Sequence, residues 1–556
     1  MSLQFTSVVA DFIRDNPGIA LLNFTVGLVI TPVADTLLPH LYGRLISTVE
    51  KHGAYLTPLL LLLGGMVFVH VGNIVKEYVD AEMQPMLFDY VKTRMMQAIL
   101  EKYDGNMIEP NTGQIVSKVV RSPDIIAWWT SAGIEYFIPQ ALSFLVTLSY
   151  FLAYDRVLAL SLVFMVIATV VLLVWSPSQC IKPSVQREQL LDQVHEEIDD
   201  VMRNLISVYS NDTTQAELDK LHASGASFKK SNRAAMLCLL KYKCIGIPAL
   251  LAFICFVIIR CCYLIKEGRL KTGNFVSIFM MTTTTVGTLL WLVSIIKGST
   301  LDLGTIMDAQ TVFSSDSSSS NNSKSPSKSP VPEHPSELRP PQSTGIGLSH
   351  VTYAHAGSKE AVLQDVTVHF EAGQCTVITG HIGSGKSTIL KLLLAFIKPQ
   401  SGDLYVSDHW YGDVLPRDVR KQVAFMPQEA TLFNRSIIDN ILYGNPSRTI
   451  QDVHDMIERL GVWKEFKNMT DGLHTNVGKN GSRLSGGQRQ LVWFLRIMLR
   501  DPAYIILDEP TSSMDYSTRS VLIHALKLVT QEGRTVVMVT HDDELLELAT
   551  RRVVIV

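Results

Sequence analysis

A chain of 556 residues is long enough for more than one domain, and its net charge of −3 gives no reason to expect a nucleic-acid partner. A mean hydropathy of +0.20 beside 18 % charged residues is not an ordinary soluble composition; it points to long apolar segments diluted by a soluble part. The seven cysteines (Cys180, Cys238, Cys244, Cys255, Cys261, Cys262, Cys375) show neither CxxC spacing nor histidine companions, and packing is the role expected of them.

The opening Met1-Ser-Leu-Gln-Phe lacks a basic region before a cleavable apolar core, so no signal peptide is expected. A bilayer-crossing helix needs about 20 mainly apolar residues. Six such spans are predicted: 18–42, 56–75, 134–153, 157–175 (after the short turn 154–156), 245–265 and 275–296. Runs such as the one opening Leu56-Thr-Pro-Leu-Leu-Leu-Leu-Leu argue against buried helices of a soluble protein. Connections after spans two and four are long, charged and helix-compatible; the other three are short. Lys76, Lys92, Arg94, Lys102, Lys118 and Arg121 sit in the first long connection. Lys182, Arg187, Arg203, Lys220, Lys229, Lys230 and Arg233 sit in the second. The positive-inside rule makes both cytoplasmic, and with them the two chain ends.

Two polar features stand out within the spans. Asp35 lies between Pro32 and Pro39, which predict a helix end near the interface rather than a substrate contact. Residues 282–285 are four threonines, which can bond back to their own helix, glue neighbours or line a pathway.

Residues 314–343 are rich in Ser and Pro with almost no apolar side chains, the composition of a disordered tether between a membrane domain (1–313) and a soluble one (344–556). Ser325-Pro326 and Ser329-Pro330 resemble proline-directed phosphorylation sites, although an inert tether is the expected role.

In the soluble part, the β-prone run Cys375-Thr-Val-Ile-Thr379 leads into Gly380-His-Ile-Gly383-Ser384-Gly385-Lys386-Ser387-Thr388 and then a helix-forming stretch. This strand, Gly-rich loop and helix is the order a P-loop requires. Its glycines let several N–H groups face one anion at the positive end of the helix. Lys386 is placed to reach the β- and γ-phosphates of a nucleoside triphosphate, and the Ser387 hydroxyl to join a Mg²⁺ shell.

Downstream lie Gln428 in Val-Ala-Phe-Met-Pro-Gln, then Leu484-Ser485-Gly486-Gly487-Gln488, the apolar strand ending Asp508-Glu509, Asp515, and Val-Met-Val-Thr-His541. In that order and spacing the segment resembles the nucleotide-binding domain of ABC transporters. The resemblance implies an all-α six-helix transmembrane domain of the exporter type followed by an α/β P-loop NTPase domain. It implies ATP and Mg²⁺ as cofactors, with Ser387, Gln428 and Asp508 at the metal. Lys386, Gln428, Glu509 and His541 would be the catalytic group, Glu509 polarising the attacking water. Gly380, Gly383, Ser384, Gly385 and Thr388 would complete the phosphate loop. Ser485, Gly486, Gly487, Gln488 and Asp515 would bind the same nucleotide from a second chain, since one chain holds a single P-loop and a single LSGGQ. A homodimer is favoured because all the catalytic parts are in one chain; a heterodimer is also possible.

The six spans look like those of a half-transporter. Residues 100–121 and 207–214 resemble the two intracellular coupling segments of such exporters. The sequence departs from the family pattern in four places. Tyr353 and His355 compete for the adenine-stacking position, with His355 favoured. Lys479 stands where an acid is common, Ser513-Met514 replaces Ala-Leu, and the chain stops at Val556 inside what should be a late strand. The expected protein is a multi-pass membrane exporter driven by ATP, with its nucleotide domain in the cytoplasm and its substrate unnamed. An ATP-gated channel or regulatory subunit is the alternative; a soluble ABC ATPase acting on DNA or ribosomes conflicts with the spans.

Overall fold

The computed structural model describes residues 5–104, 112–313, 345–355, 358, 360–381, 383–467 and 469–555. The Ser/Pro-rich tether, with Ser325 and Ser329, lies outside the described residues, as does the middle of the first coupling-like segment. Two compact units emerge: Met1–Lys102 with Glu109–Asn321, and Tyr103–Ile108 with Asn322–Val556.

The described residues of the first unit form helices joined by short turns. Its helices are α1 (Phe5–Asp15), α2 (Pro17–Pro32), α3 (Leu38–Glu50), α4 (Leu56–Tyr103), α5 (Thr112–Ala132), α6 (Ile138–Tyr154), α7 (Arg156–Arg203), α8 (Leu205–Ser210), α9 (Thr214–Lys266) and α10 (Thr272–Phe313). Among the described residues five stretches are long and apolar enough to cross a membrane: Pro17–Glu50, Leu56–Tyr103, Arg156–Arg203, Thr214–Lys266 and Thr272–Ile295. The predicted third span forms the shorter apolar helix α6. The expected long connections are helix continuing from helix, so α4 and α7 each run 48 residues and α9 runs 53. The six-residue α8 falls on the second coupling-like segment.

The helix end expected at Asp35 is not there. Instead α2 and α3 are joined through a π-turn, Val33–Leu37, in which the Leu38 N–H donates to the Val33 carbonyl five residues back. A proline ring clashes with the carbonyl four residues before it, and the wider π-turn supplies the room. A second π-turn, Gly133–Phe137, precedes Pro139 in the same way and divides α5 from α6. Asp35 Oδ2, carried on the first π-turn, accepts hydrogen bonds from Gln140 Nε2 (2.9 Å) and Ser143 Oγ (2.8 Å) on α6.

The core of this unit is formed where α6, α7, α9 and α10 meet, with Phe151, Leu162, Leu250 and Ile278 fully buried. Gly43 on α3 and Gly273 on α10 face each other so closely that a Cβ on either would collide with the backbone oxygen of the other. Beyond the apolar stretches, Glu188 and Asp192 of α7 are buried and paired: Glu188 with Arg121 and Arg187, and Asp192 with Arg121 (3.6 Å) and Lys118 (3.9 Å). Three of the cations counted along the long connections are therefore matched locally.

The packing role expected for all seven cysteines fails at two of them. Cys180 on α7 and Cys238 on α9 form a disulfide, their Cα atoms 5.9 Å apart. A separation of 58 residues carries no spacing signal; only the lengthwise packing of α7 against α9 brings the sulfurs together.

In the second unit, β1 (Gly345–Tyr353), β2 (Leu363–Glu371), β4 (Ser401–Val406) and β5 (His409–Trp410) form an antiparallel sheet in the order β2-β1-β4-β5. The strands β3 (Cys375–Gly380), β6 (Val423–Met426), β7 (Tyr504–Asp508), β8 (Thr535–Val539) and β9 (Arg551–Ile555) form a parallel sheet ordered β6-β7-β8-β3-β9. Its helices are α11 (Lys386–Leu393), α12 (Pro416–Gln422), α13 (Ile437–Leu442), α14 (Ile450–Arg459), α15 (Gly486–Leu499), α16 (Tyr516–Gln531) and α17 (Asp543–Leu546). Val377, Ile505, Leu507, Val536 and Met538 are completely buried, as strands covered on both faces must be.

Candidate nucleotide-binding site

Because β6, β7, β8 and β3 are parallel neighbours, their C-terminal ends share one edge of the sheet, where ligands of open α/β sheets bind. The edge carries the phosphate loop after β3, Gln428 after β6, Asp508 and Glu509 at β7, and His541 after β8.

Gly383 and Gly385 turn the loop at φ +88° and +89°, where a side chain would be strained. At Gly385 a Cβ would also meet Leu363 at 2.7 Å. Lys386 Nζ folds over the loop and donates to the Gly380 and His381 carbonyls, both at 2.9 Å. Ser384 Oγ is buried without a protein partner, an orphaned polar atom in a loop built to hold an anion. Thr388 lies buried in α11.

Burial pushes the Asp508 carboxyl above its usual range; the Ser387 hydroxyl bonded to it pulls the other way, and the neighbouring Glu509 charge adds to the rise. A desolvated carboxylate bonded to an alcohol is a hard-oxygen pair, the donor chemistry that suits Mg²⁺.

Glu509 sits at φ +46°, a left-handed conformation that is rare outside glycine. Its N–H donates to the Val539 carbonyl at 2.8 Å, which pins that turn to β8. One carboxylate oxygen accepts from Gln428 Nε2 at 2.8 Å and the other lies 4.0 Å from His541 Nε2. Gln428, Glu509 and His541 are thus brought together.

The LSGGQ residues form a separate group. Ser485 caps α15 in a closed box: the Gln488 N–H donates to Ser485 Oγ (3.1 Å) and the Ser485 N–H to Gln488 Oε1 (3.0 Å). A Cβ at Gly486 would come within 2.7 Å of the Ser513 carbonyl oxygen, and one at Gly487 within 2.9 Å of Thr518 Cγ2. Both glycines therefore let α15 press against the start of α16. Asp515 caps α16 by accepting from the Thr518 N–H at 2.8 Å, a bond that holds its carboxyl below the usual range. Among the described residues no hydrogen bond joins this group to the phosphate loop. Tyr353 and His355 stand edge to face with ring centroids 5.3 Å apart. Tyr353 packs on the core and His355 is exposed, so the histidine ring is the one with an open face.

Sequence reasoning passed over three supports. Gln490 Nε2 donates to the Gln428 carbonyl (3.3 Å), and its place two residues after LSGGQ was a usable signal. Glu465 accepts from Thr518 Oγ1 (3.0 Å) and Gln488 Nε2 (3.2 Å), and Arg519 holds Asp542 at 2.6 Å beside His541. Neither of these two belongs to a spaced motif.

Residues 21–289 match the ABC transporter transmembrane region, and residues 363–512 match the ABC transporter domain, whose ligand is ATP. An ATP-dependent lipid A-core flippase of Ralstonia nicotianae is 35 % identical over 213 residues, 38 % of this chain and 36 % of the flippase. The iron-sulfur clusters transporter ABCB7 of Homo sapiens is 35 % identical over 201 residues, 36 % of this chain and 26 % of the transporter. The aligned part thus spans about a third or less of each relative. A bacterial Atm1-family ABC exporter with ATP bound superposes with a TM-score of 0.83 over 98 % of this chain and 94 % of its own, at 18 % identity, a likeness of fold. With a multi-pass transmembrane region and an ABC nucleotide-binding domain in one polypeptide, the chain belongs to the ABC transporter family, in the half-transporter arrangement.

Proposed function

We propose that the chain is half of an ATP-driven exporter that works as a dimer. The observation that supports this is the division of the site within one chain. The phosphate loop, Asp508, Gln428, Glu509 and His541 gather on one sheet edge, while the LSGGQ residues bond among themselves and to Glu465 and pack against Ser513 and Thr518. The signature loop of a second copy would then close on the nucleotide held here. Ser387 and Asp508, with Gln428, would hold Mg²⁺, which neutralises phosphate charge when bound. Glu509 would orient and deprotonate the attacking water, and Lys386 would exchange its loop carbonyls for phosphate oxygens. His355 would lie against adenine. Lys and Arg on the long connections would place the nucleotide domain on the cytoplasmic side.

The names of the relatives fit export. Mixing Glu509→Gln chains with Ser485→Arg chains in lipid nanodiscs tests the dimer, since each chain alone lacks one half of the site. If each nucleotide is held by two copies, mixing restores hydrolysis, because the Glu509 of one chain then meets the intact signature loop of the other. No gain on mixing would mean that each chain turns over alone. Accumulation of a cargo against its gradient in sealed vesicles separates a pump from an ATP-gated channel.

A further inference from the structure

Between α6, α7 and α10 lies a cavity of about 660 Å³, within the roughly 300–1,000 Å³ range of small-molecule sites. Tyr136, Phe137, Phe144 and Trp291 supply aromatic walls, and aliphatic side chains of α7 close the far side. A second, wholly apolar cavity of about 350 Å³ shares Phe137, Leu173 and Leu292 with the first and extends along α10 to Ile306. The two cavities adjoin at these shared residues, and only the first carries a polar strip.

The chemistry of that strip is specific. It consists of Gln140, Thr284, Thr285 and Thr288. Thr284 Oγ1 donates to the Met280 carbonyl (3.0 Å) and Thr288 Oγ1 to the Thr284 carbonyl (3.3 Å). The hydroxyl protons of Thr284 and Thr288 are therefore spent on the helix, leaving their oxygen lone pairs as the remaining capacity. Gln140 directs one amide N–H at the Asp35 carboxylate (2.9 Å), which leaves its carbonyl as an acceptor and its second N–H as a neutral donor. No acidic or basic side chain is among the described lining residues of either cavity; Lys76, nearby, is held over the Tyr136 ring at 3.9 Å. The strip thus offers acceptors beside the one neutral N–H left on Gln140, and it lacks the cations that a phosphate or carboxylate would need.

We infer that this space takes a single-tailed amphipath whose head is a hydrogen-bond donor without negative charge, a hydroxyl or an ammonium. The head lies against Gln140, Thr284 and Thr288, and the apolar tail runs past Phe137 and Leu292 toward Ile306. The inference rests on the exporter reading in taking these helices as lipid-embedded, and it names the class of cargo that this half would admit. An anionic conjugate of the same length is disfavoured, because its head would lose hydration with no cation to replace it.

Photo-crosslinking of the full chain in nanodiscs, without nucleotide, tests this. Three dodecyl probes carry a diazirine in the tail and end in an amine, an alcohol or a carboxylate. The amine and the alcohol should label peptides spanning 136–144 and 284–306 at least tenfold more than the carboxylate. Thr284→Val/Thr288→Val, which keeps side-chain volume but removes both acceptors, should abolish that preference. Equal labelling by all three heads, labelling spread evenly over lipid-facing helices as annular lipid would give, or a preference unmoved by the double valine variant would each overturn the assignment. The labelling needs neither ATP nor hydrolysis, so it can fail while the mixed-chain experiment above succeeds, and the reverse.

Discussion

Gln428 and Glu509 are joined by a 2.8 Å hydrogen bond between amide and carboxylate, although they come from different strands and stand 81 residues apart. The bond holds the acid that ends β7 against the loop that follows β6. Replacing Glu509 by Gln removes the base while keeping a side chain of the same length. ATP hydrolysis is expected to fall by about 10²–10⁴-fold, the usual contribution of a positioned general base. Nucleotide should still bind. A phosphate-release assay that finds unchanged turnover would remove Glu509 from the mechanism.

Lys386 makes its described hydrogen bonds with the carbonyls of its own loop, at 2.9 Å each. Lys386→Ala should leave the fold intact and remove the charge that meets the phosphates. In the wild type, saturation at a hundredfold over Kd stabilises by about 2.7 kcal/mol. Differential scanning fluorimetry should show that MgATP shift vanishing in the variant, with the ligand-free midpoint little changed. An undiminished shift would mean that the lysine does not touch nucleotide.

Asp302 lies beyond the apolar stretch of α10 and accepts a hydrogen bond from Trp129 Nε1 at 2.9 Å. Burial raises its carboxyl above the usual range against that bond, which lowers it. A raised folded pKa gives stability that is complete below the unfolded value of 3.8 and is lost as pH rises through the folded one. The charged carboxylate therefore costs stability at neutral pH. Asp302→Asn keeps an acceptor for Trp129 and should melt higher than wild type at pH 7.5, the two curves converging toward pH 4. A gap independent of pH would show that ionisation is not the cause.

The Cys180–Cys238 disulfide ties α7 to α9. Peptide mapping without reductant should recover the cross-linked pair. Cys180→Ser/Cys238→Ser should lose on the order of 2–4 kcal/mol of stability. Complete alkylation of both thiols without reductant would show that the bond does not form.

The nucleotide site was largely legible because its chemistry is local. A P-loop needs glycines at fixed offsets before Lys386, and Asp508 and Glu509 close a short apolar run. The membrane helices were legible for a similar reason, since about 20 apolar residues leave few alternatives. Elsewhere the information was in tertiary contacts. Pro32 and Pro39 read as a helix end, but the π-turn at Val33–Leu37 absorbs them, and Asp35 finds its partners on α6, over 100 residues away. The threonines at 282–285 left three readings open, of which the bonding back to their own helix is seen. Thr282, Thr283 and Thr284 bond back to α10, while Thr284 and Thr285 also face a cavity. The pairing of Cys180 with Cys238 had no local trace at all.

The meeting of Gly43 and Gly273 sets how α3 and α10 move. Main chain rests on main chain there, so no rotamer change can take up slack between the two helices. A displacement of α10 toward α3 would therefore press directly on backbone, as a shim-free joint does, with no side chain between them to yield. A larger side chain at either position would put a wedge into that joint and spread it apart.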